Sequence, residues 1–219
     1  MLKQSLSNEL IKRFNNYLDE IKKQKDSKNY THAMELIDAA FKDIFRLGIK
    51  FFNSFTTDNL LDMINTNGNP NTDKCIMMSK LLEEEGDVLE KQNKSNEAFY
   101  INQRCLNVFI DTYMNKSDHY TLGSYFNDIE TLIDNLMEYE LPISLENKIR
   151  DYYACEGKYD KADNIAYCIL EDSNYDRACV EDALAFYEKL LKESESSLKS
   201  GGISKSEIKE TIEEIKSKI

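Results

Sequence analysis

Apolar residues recur at spacings of three and four along almost the whole chain, the pattern of amphipathic helices. Leu10, Ile11, Phe14, Tyr17, Leu18 and Ile21 mark one face of a helix over 8–26. A polar stretch follows, and Ala33, Ile37, Ala40, Phe41, Ile44, Phe45 and Leu47 mark a second helix over 29–52. The chain therefore opens with a helical hairpin. A short helix carrying Leu60, Leu61 and Ile64 is expected to stop at the loop Asn65–Pro70, since Gly68 and Pro70 disfavour continuation. Long helices are predicted over 73–92 and 95–115, and another over 122–139 with Phe126, Ile129, Leu132, Ile133 and Leu136 inward. Pro142 breaks the chain, and Ser144 is placed to cap a helix over 145–156. Helices over 159–171 and 175–199 complete the body. Ser196 to Gly202 reads as a linker, beyond which Ser204 and Glu207 fit a capping box. Ile208, Ile212, Ile215 and Ile219 line one face of the last helix, which either lids the body or contacts a second chain. The expected organisation is a helical domain over 1–199, then a linker and amphipathic helix over 200–219. Its predicted core contains Ala33, Ile37, Ala40, Ala98, Leu106, Phe109, Ile129, Leu132, Tyr153, Ala162, Ile165 and Leu184.

Composition strengthens the all-α reading. Two prolines and seven glycines are too few to punctuate a many-stranded fold, and 31% charged residues suit long helices. The net charge is −12, split as +3 over residues 1–50 and −15 over the remainder. An acidic body repels phosphate backbones and anionic lipid, so neither nucleic acid nor a membrane is an expected partner. No apolar run approaches the roughly 18 residues that cross a bilayer. The first residues lack the apolar segment of a signal peptide. Those features point to a cytoplasmic protein. In a reducing compartment Cys75, Cys105, Cys155, Cys168 and Cys179, with no CxxC among them, read as small hydrophobes.

An internal similarity runs through the chain. Asn29-Tyr30-Thr-His-Ala33, then Leu82-x-x-x-Gly86-x-x-Leu89 with Ala98 twelve residues after the glycine, then Tyr152-Tyr-Ala-Cys-Glu-Gly157-Lys-Tyr159-Asp-Lys-Ala162, carry related elements. The alanines at 33, 98 and 162 are 65 and 64 residues apart, about twice a period of ~34 residues. These stretches resemble the tetratricopeptide repeat family, most closely over residues 146–171, and the resemblance covers about 110 residues. Ile21 and Arg150 stand where the family has glycine, and its trailing proline is absent. The chain is also similar to small bacterial proteins of this helical type. The resemblance implies a right-handed array of about five antiparallel helix pairs with a capping last helix; an irregular bundle with close alanine crossings is the alternative.

Chemistry is sparsely marked. His32 and His119 have no Cys or His at ligand spacing, so no metal or His-based nucleophile is expected. Asp172-Ser-Asn174-Tyr-Asp176 resembles the opening of a calcium loop. Its sixth and twelfth positions are Arg177 and Ala183, not the required Gly and Glu, so it reads as a polar turn. No phosphate-binding loop, nucleophile elbow or dinucleotide fingerprint is present, and no cofactor is expected. Glu83, Glu84, Glu85, Asp87 and Glu90 form an acidic run. By the tetratricopeptide resemblance, Lys80, Glu83, Asp87, Glu90 and Lys91 line a concave groove, with Asn147 and Asp151 at matching positions of the last unit and Lys22 and Lys25 in the first.

The resemblance implies a non-enzymatic scaffold or adaptor that holds a protein or peptide in this groove, a basic one at its acidic centre. The plainer reading is a solvated helix face. A receptor for a small peptide or metabolite would instead show a pocket lined by Tyr and Asn. A structural homo-oligomer would use the terminal helix in a homodimer, and an unrecognised enzyme would show convergent polar groups in one cleft.

Overall fold

The computed structural model describes residues 2–64 and 71–218, and among these every regular element is a helix. The expected stop at Asn65–Pro70 and the face residue Ile219 lie outside the described residues. The chain forms two compact units, Met1–Glu138 and Tyr139–Ile219. The first contains α1 (Leu2–Asp26), α2 (Tyr30–Phe45), α3 (Ile49–Asn53), α4 (Thr57–Ile64), α5 (Thr72–Lys91), α6 (Ser95–Met114), a 3₁₀ turn (Gly123–Asn127) and α7 (Asp128–Leu136). The second contains α8 (Ile143–Cys155), α9 (Tyr159–Asp172), α10 (Arg177–Leu190), α11 (Glu195–Ser200) and α12 (Lys205–Ser217).

The hairpin elbows share one construction. α1 turns into α2 at Lys28, α5 into α6 at Asn93 and α8 into α9 at Gly157, with φ of 58°, 59° and 72°. At each elbow the next residue's amide donates to the carbonyl five residues back: Asn29 to Gln24 (2.8 Å), Lys94 to Leu89 (3.0 Å) and Lys158 to Tyr153 (2.9 Å). The left-handed residue's own amide donates three residues back, to Lys25, Glu90 and Ala154. This Schellman arrangement satisfies carbonyls that a helix end leaves open. Asn29, Lys94 and Lys158 are at once the N-caps of the following helices. Four residues on stand Ala33, Ala98 and Ala162, all fully buried, where a larger side chain would hold the paired helices apart. Asn174 repeats the turn between α9 and α10, and the Asp176 side chain caps α10 by accepting the amides of Ala178 and Cys179. The calcium-loop-like stretch is thus an inter-helix turn.

Several expected boundaries differ. The helix expected over 29–52 breaks at Arg46, which ends α2 in a left-handed conformation (φ 66°). Asp38 then accepts the Ile49 amide at 2.9 Å and holds α3 in its new direction. The helix expected over 175–199 divides because Ser194 caps α11, accepting the Ser197 amide. Pro142, not Ser144, occupies the N-cap of α8. Leu184 is half-buried rather than core, since the face of α10 that packs is Val180, Ala183, Phe186, Tyr187 and Leu190. Gly201, expected in a linker, is buried, and its carbonyl accepts the Asp160 amide at 2.9 Å. The capping box of α12 forms, with Ser204 and Glu207 each bonding the other's amide. Ile208, Ile212 and Ile215 are buried and α12 packs on α10, so this apolar face is covered within its own unit.

The elbows can be tested one residue at a time. A Cβ on Gly157 meets nothing within 4 Å, so Gly157→Ala should cost only its conformational strain, about 1 kcal/mol. Lys28→Gly should relieve the same strain and gain roughly 0.5 kcal/mol. Ala98→Leu and Ala162→Leu should overpack the hairpins and cost about 1–3 kcal/mol each. Urea unfolding of the four variants measures all of this; opposite signs at positions 28 and 157 are the decisive result.

Candidate functional site

α5 is packed against α6 along its length and also against α1, α2, α4 and the 3₁₀ turn, yet it carries a dense set of charges. Most are neutralised inside the first unit. Lys80 is buried and pairs with Glu83 (2.5 Å) and with Asp128 at the start of α7 (2.8 Å), and its ammonium lies over the Tyr125 ring. Lys25 of α1 pairs with Glu84 and, at 2.6 Å, with Asp87, which also pairs with Lys91. Burial opposes ionisation of Asp87, but its bonds to Lys25 and Lys91 outweigh this and hold its carboxyl below the usual range. Burial pushes the Glu83 carboxyl up despite Lys80. Glu90 is exposed and accepts the Ser95 hydroxyl at 3.1 Å.

The residues assigned to a groove therefore fall into two groups. Lys80, Glu83, Asp87, Glu90 and Lys91 lie on α5 in the first unit. Asn147 and Asp151 lie on α8 in the second, both bonded to the buried Arg150, which also pairs with Asp182. Lys25, at a groove position of the first hairpin, reaches Asp87 of the next. The acidic run is largely a set of internal ion pairs.

Sequence reasoning missed Glu85. It sits one and two turns along the buried stripe Met78, Leu81, Leu82, Glu85, Leu89, so a carboxyl occupies a core position of α5. That misplaced charge was the available signal. Glu85 is 3% exposed and forms part of the wall of an open cleft of about 1070 Å³. α2 contributes Thr31, Met34, Glu35, Asp38 and Lys42; α3 contributes Ile49, Lys50, Phe51 and Asn53; α6 contributes Glu97, Tyr100 and Ile101. Asn53 donates to Glu85 Oε1 at 2.7 Å, while Oε2 is buried with no hydrogen-bond partner. Arg104, the nearby cation of α6, donates to the carbonyls of Phe52 and Phe55 and so holds the end of α3 in place. Burial pushes the Glu85 carboxyl up to about 7, against the Asn53 bond and the Arg104 charge.

A family of unknown function (DUF6483) matches the chain over residues 1–219. The chain belongs to that family. No curated protein and no solved structure matches it. Burial raises the thiols of Cys75 and Cys105, and His32 pairs with Glu35 at the surface. Among the described residues no group of His, Cys, Asp and Glu is arranged to hold a metal, and no helix is long and apolar enough to cross a membrane.

Glu85 fixes a pH dependence. Its carboxyl titrates at about 4.3 in the unfolded chain and at about 7 in the folded one. The folded state binds the extra proton between those values, so its contribution is complete below the lower one and is lost as pH rises through the upper. Glu85→Gln should match the wild type near pH 4 and exceed it near pH 8 by up to about 3 kcal/mol. Urea unfolding at both pH values checks this, and an equal difference at the two would mean that the carboxyl is solvated.

Proposed function

We propose that the protein is a non-enzymatic, cytoplasmic receptor whose hairpins stack in a tetratricopeptide-like array and whose small ligand binds in the cleft between α2, α3, α5 and α6. The observation that carries this reading is the buried Glu85 oxygen left without a partner in the cleft wall. An unsatisfied buried acceptor costs stability unless something supplies a donor. The cleft has about the size of a small-molecule site, with Met34, Ile49, Leu89 and Ile101 in its walls among charged and polar side chains. The hydrogen-bonded neighbour of Glu85 is an amide rather than a nucleophile, which favours binding over catalysis. Elbows of one construction at positions 28, 93 and 157 support the repeat reading.

A peptide adaptor acting through Lys80, Glu83, Asp87, Glu90, Lys91, Asn147 and Asp151 is the weaker alternative. A basic peptide would have to displace Lys25, Lys80 and Lys91 from carboxylates they already neutralise. Thermal-shift screening of acidic, neutral and basic metabolites and of basic peptides separates the two. At least one small compound should raise the Tm of the wild type and leave a rim-filling Thr31→Trp variant unmoved. Stabilisation by basic peptides alone, lost in Asp87→Ala and kept in Thr31→Trp, would restore the adaptor.

A further inference from the structure

The chemistry of the cleft narrows what it can hold. Glu85 accepts from Asn53 at one oxygen, and its other oxygen is buried without a donor, so a ligand reaches it where the Asn53 side chain gives way. An anion would bring like charge to a buried carboxylate. A neutral donor would satisfy the oxygen and leave the charge uncompensated. A cation does both. The cations already present are engaged elsewhere or belong to other parts of the rim. Lys42 pairs with Asp38 at 2.5 Å; Arg104 donates through Nη2 to two backbone carbonyls, its Nε is buried without a partner, and its charge offsets the burial of Glu85 only in part. Lys50 of α3 and Lys94 line the cleft, as do the acids Glu35, Asp38 and Glu97, so the rim carries both signs and does not itself select an anion. Met34, Ile49, Leu89 and Ile101 give the cleft apolar wall, with the exposed Tyr100 beside them.

We infer that the cleft binds an organic amine, its ammonium group donating to Glu85 Oε2 and its apolar body lying along Met34, Ile49, Leu89 and Ile101. This inference rests on the cleft being the ligand site. Asn53, exposed at the end of α3, is the side chain that swings aside or shares the carboxylate when the ammonium enters. The amine selects the ionised carboxylate, so protonation of Glu85 competes with binding. Affinity then falls about tenfold for each pH unit below the carboxyl's own titration.

The test is amide NMR of the full chain titrated with n-hexylamine, n-hexanol and hexanoate. At about pH 8 hexylamine should move the amides of Gln92, Lys94 and Tyr100 and bind at least about tenfold more tightly than hexanol. Hexanoate should bind more weakly than either. The amine advantage should vanish in Glu85→Gln at the same pH and, in the wild type, at about pH 5. Equal binding of amine and alcohol, or an amine preference that survives either change, overturns the inference. Alcohol binding at these amides without amine preference would remove the ligand class and keep the cleft. Undisturbed cleft amides with all three probes would remove both.

Discussion

A helix packed by neighbours along most of its surface cannot keep ionised side chains unless each finds a partner within reach. α5 is such a helix, and the architecture of the first unit follows from how its charges are met. Lys25 draws the end of α1 against Glu84 and Asp87. Lys80 reaches Asp128 and so ties α5 to the start of α7. These are partly desolvated contacts, where removing one partner would strand the other. The same helix leaves one carboxyl oxygen, on Glu85, outside this scheme. The contrast between neutralised and orphaned charge on a single helix is what distinguishes a structural acidic run from a candidate site.

The elbows solve a different problem with one device. Reversing a helix in three residues leaves carbonyls open at one end and amides open at the other. Placing a single residue in the left-handed region closes carbonyls of the first helix, and the residue whose amide completes that closure is the N-cap of the second. Lys28 and Asn93 accept that conformation at some cost, whereas Gly157 accepts it freely. The buried alanine five residues later then sets how closely the pair can approach.

The helices, their inward faces and the terminal capping box were legible in the sequence because each depends on residues close together in the chain. The break at Arg46 was not, because apolar residues continue across it to Leu47, Ile49, Phe51 and Phe52, and the break at Ser194 falls in a polar run, 192–197, whose residues are compatible with a solvated helix end. The direction of α3 depends on Asp38, in the middle of α2 and 11 residues before the amide it accepts. The acidic run was visible as a run, and its members look alike in sequence. Their fates separate only through partners on other elements: Lys25 and Asp128 are remote in the chain from the carboxylates and lysine they meet. Glu85 could have been singled out by its place between Leu81 and Leu89, since a charge in an apolar stripe is visible without coordinates.

The position of Glu85 also bears on what the native state is. A chain optimised only to fold would put a neutral side chain there; the carboxylate makes position 85 locally frustrated. Burial raises its carboxyl to about 7, so the charge beneath α3 is set by pH closer to neutrality than that of an ordinary carboxylate. The buffer thus acts on this one position beneath α3 as directly as a substitution would, by adding or removing its charge.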